Sequence, residues 1–197
     1  MASMIADELY GMLTEGPLLD IGCGDKSVAN LLEENLSMDV IGLDISRDWQ
    51  KPDVKAHASF IPFVNESFDA VLLITVLEYV PNHLRSLVLA EATRVLRPLG
   101  LLVAYLPNKV FPVGQDSCVP FVNFLPMVAR KAIVGHFVDL PSQRELCRLL
   151  FAAKFRLVKE KRLYHEYLPG IARSLTLRAL PIGNLYLAAK NSPARAP

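Results

Sequence analysis

Short apolar runs alternate along this chain with stretches whose apolar residues recur every three or four positions. Leu18 to Ile21 is too short and too apolar for a surface helix and reads as a buried strand, whereas Ser27-Val-Ala-Asn-Leu-Leu-Glu-Glu has helical spacing. A second, alternating apolar segment runs from Asp39 to Asp44. The polar stretch 47–54, interrupted by Pro52, leaves little room for a crossover helix and predicts a loop or single turn before a short third strand at Val54. Phe68 to Ile74 is a continuous apolar run of the kind buried on both faces by helices. Asn82 to Leu96 is the clearest helix, with Leu84, Leu87, Val88, Ala92, Val95 and Leu96 on one stripe and Pro98 as its stop. Leu101 to Leu106 reads as strand five. Ser142 and Glu145 make a capping box that opens a helix to Ala153, and the segments at Phe155 and at Leu185 to Ala189 are strand-like. Alternating strands and helices predict a doubly wound α/β sheet, mostly parallel.

The chemistry gathers where the first strand meets the first helix. Asp20-Ile-Gly22-Cys23-Gly24-Asp-Lys26-Ser27 places glycines at a turn from which unpaired helical N–H groups point outward, so a ligand can approach the backbone without meeting a Cβ. A dinucleotide site wants a third glycine where Ser27 stands. Asp20 would also repel a pyrophosphate while attracting an ammonium or sulfonium group. About twenty residues on, Asp44 closes the second strand, at the distance where an acid reaches ribose hydroxyls.

Asp20-Ile-Gly-Cys-Gly resembles the first motif of the class I S-adenosylmethionine-dependent methyltransferases. Three further blocks are similar to that family in the same order: Asp44 at the end of strand two, Ile61-Pro-Phe63 followed by Ser67-Phe-Asp69, and Arg94-Val-Leu-Arg97-Pro-Leu99-Gly100. The departures are Lys26 and Leu99 where glycines are usual, and His57 where an acid normally holds the adenine amine. The resemblance, to the small-molecule (ubiquinone/menaquinone methyltransferase-like) type, implies a Rossmann-like, seven-stranded sheet with an antiparallel last strand. It also implies S-adenosyl-L-methionine as cofactor, held by Asp20, Gly22, Cys23, Gly24, Asp44, Ile45, Ser59, Phe60, Ile74 and Tyr79. Cys23 is read as a small packing residue, and Glu78 as architectural. For a general base, Tyr79, Tyr105, His136 and His165 are candidates, none of them assigned.

Length and composition narrow the setting. The 197 residues suit one domain, expected over 1–190 with a flexible tail at 191–197. The 52% hydrophobic content belongs to a packed globular protein. Nothing at the N-terminus resembles a secretory signal, no run is long enough to span a bilayer, and Cys23, Cys118 and Cys147 share no metal-ligand spacing. A cytoplasmic protein without a metal is expected. Residues 1–129 carry 8 basic and 16 acidic side chains and residues 130–197 carry 13 and 4, so net charges of −8 and +9 divide the chain. That asymmetry suits either solvated surfaces or a phosphate-rich partner.

The stretch Val110 to Phe137, within the expected insertion at about 110–137, is apolar, broken by Pro112, Pro120 and Pro126, and rich in Phe111, Phe121, Phe124, Leu125 and Met127. In the family the segment after strand five builds the acceptor pocket, so an apolar or lipid-like acceptor and peripheral membrane contact are expected, with simple coverage of the sheet as the alternative. The functional expectation is methyl transfer to such an acceptor. A noncatalytic methyltransferase-like binding subunit, or an RNA methyltransferase using the basic C-terminal part, stand as alternatives, although nucleic acid is not the expected partner.

Overall fold

Leu18, Leu19 and Ile21 are inaccessible to solvent because strand β1 (Leu18–Ile21) lies inside a parallel sheet, paired with β2 (Val40–Asp44) on one side and β4 (Phe68–Ile74) on the other. The computed structural model describes residues 16–45, 52–112, 119–135, 137–164 and 181–191. Its sheet has seven strands in the order β3-β2-β1-β4-β5-β7-β6, where β3 is Val54–Lys55, β5 Leu96–Pro107, β6 Phe155–Leu163 and β7 Gly183–Lys190. Strands β1 to β5 are parallel, and β7 inserts antiparallel between β5 and β6.

The helices are α1 (Ser27–Leu36), α2 (Asn82–Val95), α3 (Met127–Val134) and α4 (Gln143–Ala152). Period-two alternation sends Leu19, Ile21, Val71 and Leu73 to the face covered by Val88 and Leu89 of α2 and Leu146 and Leu150 of α4. Leu18, Ala70, Leu72 and Ile74 face the other way, against Ala29 and Leu32 of α1. Both faces of the sheet are therefore buried, which explains the uninterrupted apolar run of β4. As expected from the capping box, Ser142 Oγ accepts the Glu145 N–H at 3.2 Å.

Strand five begins earlier than Leu101. Leu96 already pairs with Phe68, and the Arg97–Gly100 turn is a bulge inside the strand, after which pairing resumes at Ala70 and Leu101. Leu99 has φ 66 there, and a Cβ on Gly100 would meet the Arg97 and Asp69 carbonyl oxygens at 2.9 and 3.0 Å. Glycine is thus required at 100, while Leu99 bears backbone strain. Strand β6 also runs further than its apolar start suggests, because pairing with β7 carries the charged residues Lys159 to Arg162. The amphipathic piece Ile5 to Leu13, the loop residues 47–51, His136, His165 and the tail 192–197 lie outside the described residues.

Candidate cofactor-binding cleft

The order of the sheet reverses between β1 and β4, and at this switch point the carboxyl ends of the strands leave a crevice. Gly22 and Gly24 turn the chain out of β1 with φ of 73 and 53. The turn is sewn to β2, because the Gly22 and Cys23 N–H groups both donate to the Leu43 carbonyl, at 2.7 and 3.2 Å. A Cβ on Gly22 would lie 2.6 Å from Val76 Cγ2, so any side chain there would collide with the loop after β4.

Lys26, the residue before α1, adopts φ 61 in place of the usual glycine. That conformation costs a non-glycine residue about 1–2 kcal/mol. The side chain offsets part of this by reaching across β2. Its Nζ donates to Asp53 at 2.8 Å, and the same carboxylate accepts the Gly42 N–H at 2.7 Å. Gly42 has room for nothing larger than hydrogen, since a Cβ would sit 2.8 Å from Cys23 Sγ. Lysine therefore ties the turn to the segment before β3. We expect Lys26→Gly to change stability by less than about 1 kcal/mol in urea denaturation, relief of strain cancelling loss of a part-exposed ion pair.

Asp44 stands at the end of β2 and accepts the Gly24 N–H at 2.9 Å. Asp20 is only 2% exposed, and its Oδ2 has no hydrogen-bond partner among the described residues. Burial, reinforced by the neighbouring Asp44 charge and opposed by Lys26, pushes its carboxyl up to about 7. Burial also pushes the Cys23 thiol up to about 12, with Asp20 and Asp44 adding to the effect. Cys23 is thus a protonated packing group against Gly42, with no thiolate available for chemistry.

These groups open on a cleft of about 640 Å³ lined by the glycine turn, Leu43 to Ile45, Ala56 to Ala58, and Thr75, Val76, Tyr79 and Val80. Of the residues expected from the sequence, Gly22, Gly24, Asp44, Ile45 and Tyr79 line it. Asp20 and Cys23 lie beneath the turn. Ile74 points into the α1-side core, and the next residue, Thr75, with φ 55, reaches the cleft in its place. Ser59 sits behind His57, bonded to its ring, and Phe60 projects outward, 78% exposed. Tyr105 is wholly buried, packed on Gly183, and does not face the cleft.

Sequence reasoning named His57 only as a departure from the family pattern, and did not name Asp25, Ala56, Ala58 or Val80 as lining residues. Their loop is held from behind: Glu91 of α2 accepts the Ile61 N–H, and Arg94 donates to the carbonyls of Ile61 and Phe63. Those contacts span some thirty positions of chain, so the signal lay in the charged face of α2, which reads as solvated when taken alone.

The site suits a cationic nucleoside cofactor. An orphaned buried carboxylate oxygen, a turn with glycines at 22 and 24 and a strand-end acid would hold an ammonium or sulfonium, a close-approaching backbone contact and a ribose respectively. Fold and cleft define a Rossmann-like nucleoside-cofactor protein. Residues 19–104 match the family model described as a methyltransferase domain. An uncharacterized protein of Methanocaldococcus jannaschii is 36% identical over 113 residues, 54% of this chain and 48% of its own length. The chain thus spans about half of that relative. A SAM-dependent methyltransferase from Methanosarcina mazei superposes with a TM-score of 0.68 at 20% identity, covering 94% of this chain and 98% of the other. A chain from the complex between the Haloferax volcanii Trm112 methyltransferase activator and its methyltransferase gives 0.70 at 13% identity, covering 99% and 90%.

Proposed function

We propose that the protein transfers a methyl group from S-adenosylmethionine to a small, apolar or lipid-like acceptor, in the manner of ubiquinone/menaquinone-type methyltransferases. The cofactor supplies an electrophilic methyl on sulfur. The chain's task is to hold donor and acceptor in line and exclude water, and proximity alone supplies much of the acceleration. The observation that carries the cofactor reading is the pairing of Asp44 with an unsatisfied Asp20 on either side of the glycine turn. Asp44→Ala tests it. Loss of charge-assisted bonds worth roughly 1.5–3 kcal/mol should weaken S-adenosylhomocysteine binding by roughly 10- to 150-fold in calorimetry, with the variant still folded. Unchanged affinity would leave Asp44 a turn residue.

The acceptor reading is supported by the insertion. Phe111 and Val122 are buried beneath it and Arg130 ties it together by donating to the carbonyls of Asn123, Leu125 and Val138. Phe121 and Phe124, however, are 65% and 58% exposed, with ring centroids 6.4 Å apart, beside exposed Met127 and Val128. Such a cluster suits contact with a bilayer or a lipid-like acceptor. No helix among the described residues is long and apolar enough to cross a membrane, and the contact proposed is a peripheral one. Phe121→Ala with Phe124→Ala should cost less than about 1 kcal/mol of stability, since neither ring is core. The pair should still weaken sedimentation with phosphatidylglycerol vesicles by about an order of magnitude or more, at roughly 25 cal/mol per Å² of apolar surface withdrawn. Equal sedimentation, or a loss of several kcal/mol in stability, would refute this reading.

A second reading is favoured by the likeness to the Haloferax chain: activity that depends on a Trm112-type activator. Copurification and turnover with and without such a partner would decide it. A noncatalytic binding subunit predicts no heat of binding with S-adenosylmethionine.

A further inference from the structure

We propose that His57 reads the nucleobase of the cofactor as a hydrogen-bond donor, so that the site selects a ring nitrogen of the base and not its amine. The inference rests on the cofactor reading above. With the ribose at Asp44, the cleft beyond it is walled by Ile45 and by Ala56, His57 and Ala58, and the base has to lie there. Ile45 and the two alanines offer no polar side chain. Among the described residues, the polar side chain lining this end is therefore the imidazole.

Its tautomer is set by its own loop. The Ser59 main-chain N–H donates to His57 Nδ1 at 3.1 Å, and Ser59 Oγ lies 2.7 Å from the same nitrogen. A ring nitrogen that accepts a main-chain N–H carries no hydrogen, so the neutral imidazole holds its proton on Nε2. The Phe60 N–H bonds the His57 carbonyl at 2.9 Å, closing the turn and fixing where the ring starts. Nδ1 faces back into the loop, so Nε2 on the opposite side of the ring faces away from it. Among the described residues nothing bonds that N–H.

An N–H donor meets adenine on unlike terms from a carboxylate. The exocyclic amine is itself a donor, and the ring nitrogens are acceptors. A carboxylate at this place would require the amine. His57 instead requires a ring nitrogen, and loses nothing when the amine is absent.

Calorimetry separates the two with S-adenosylhomocysteine, its analogue lacking the 6-amine, and analogues with N1, N3 or N7 replaced singly by carbon. The amine-free compound should bind the wild type within about threefold of the parent. One ring-carbon analogue should bind roughly tenfold more weakly, the cost of one hydrogen bond of about the usual size. His57→Phe, which keeps a flat ring, should weaken the parent by the same factor and erase the difference between parent and that analogue. Nitrogen-15 NMR of the free protein should show the Nε2–H tautomer. A tenfold loss with the amine-free compound, wild-type affinity in His57→Phe, or an Nδ1–H tautomer would each overturn the inference while the cofactor reading stood. Failure of the wild type to bind S-adenosylhomocysteine would overturn both.

Discussion

Arg85→Met should destabilise the protein by about 3–5 kcal/mol, the usual result of removing one partner from a buried ion cluster. The guanidinium, 1% exposed, is the meeting point of three segments. Nε donates to the carbonyls of Leu77 and Val80 at 3.1 and 3.2 Å, Nη1 to Glu145 Oε1 at 2.6 Å, and Nη2 to Asp139, both its carboxylate at 3.0 Å and its carbonyl. Methionine fills similar volume, yet it strands three main-chain carbonyls and the Glu145 and Asp139 carboxylates without this donor. The urea midpoint should fall accordingly, and Arg85→Lys should recover only part of the loss, since one ammonium cannot span the planar fork. The cleft should feel it too. Leu77 and Val80 bracket Tyr79, and the Glu78 carbonyl accepts the Asp139 N–H at 2.7 Å, so Arg85 holds the end of the insertion against the cleft wall. A loss below about 1 kcal/mol would mean that the cluster is solvated and that this description is wrong.

Asp20→Asn should stabilise the protein at pH 8 and do nothing for it at pH 4. A buried carboxyl whose pKa is raised from 3.8 to about 7 binds its proton more tightly folded than unfolded. Its contribution is therefore most favourable below pH 3.8, is lost as pH rises towards 7, and is a constant penalty above that. The displacement corresponds to on the order of 4 kcal/mol, which the amide, carrying no charge, would recover at high pH. Urea midpoints of wild type and variant, compared from pH 4 to pH 8, should diverge across that window. The same carboxylate, when charged, would attract a sulfonium. The preference for S-adenosylmethionine over the uncharged S-adenosylhomocysteine should accordingly grow between pH 6 and pH 8 in the wild type and be flat in the variant. Parallel stability curves would show that Asp20 is ionised at no cost, its charge met by groups near the turn.

Periodicity along the chain was enough to determine the strands at Leu18, Asp39 and Phe68, the helix from Asn82, the capped helix from Gln143 and the doubly wound arrangement. In each case burial of a stripe or a face leaves its spacing in the residues themselves. The Asp20–Gly24 turn and Asp44 were legible for a related reason: Gly22, where a Cβ would collide with Val76, Gly24 at positive φ, and an acid at a strand end are local features that the residues themselves carry. Tertiary structure decided what depends on residues distant in the chain. It turned Ile74 away from the cleft, because alternation sends that side chain of the strand end into the α1-side core. It left Phe121 and Phe124 exposed while burying Phe111, a choice that composition alone leaves open. It set the His57 ring against Ser59, and joined Lys26 to Asp53 and Arg85 to Glu145 across 27 and 60 positions. Such pairings are set by which loops the folded sheet brings together, and a charged residue looks the same in sequence whether it meets water or a partner.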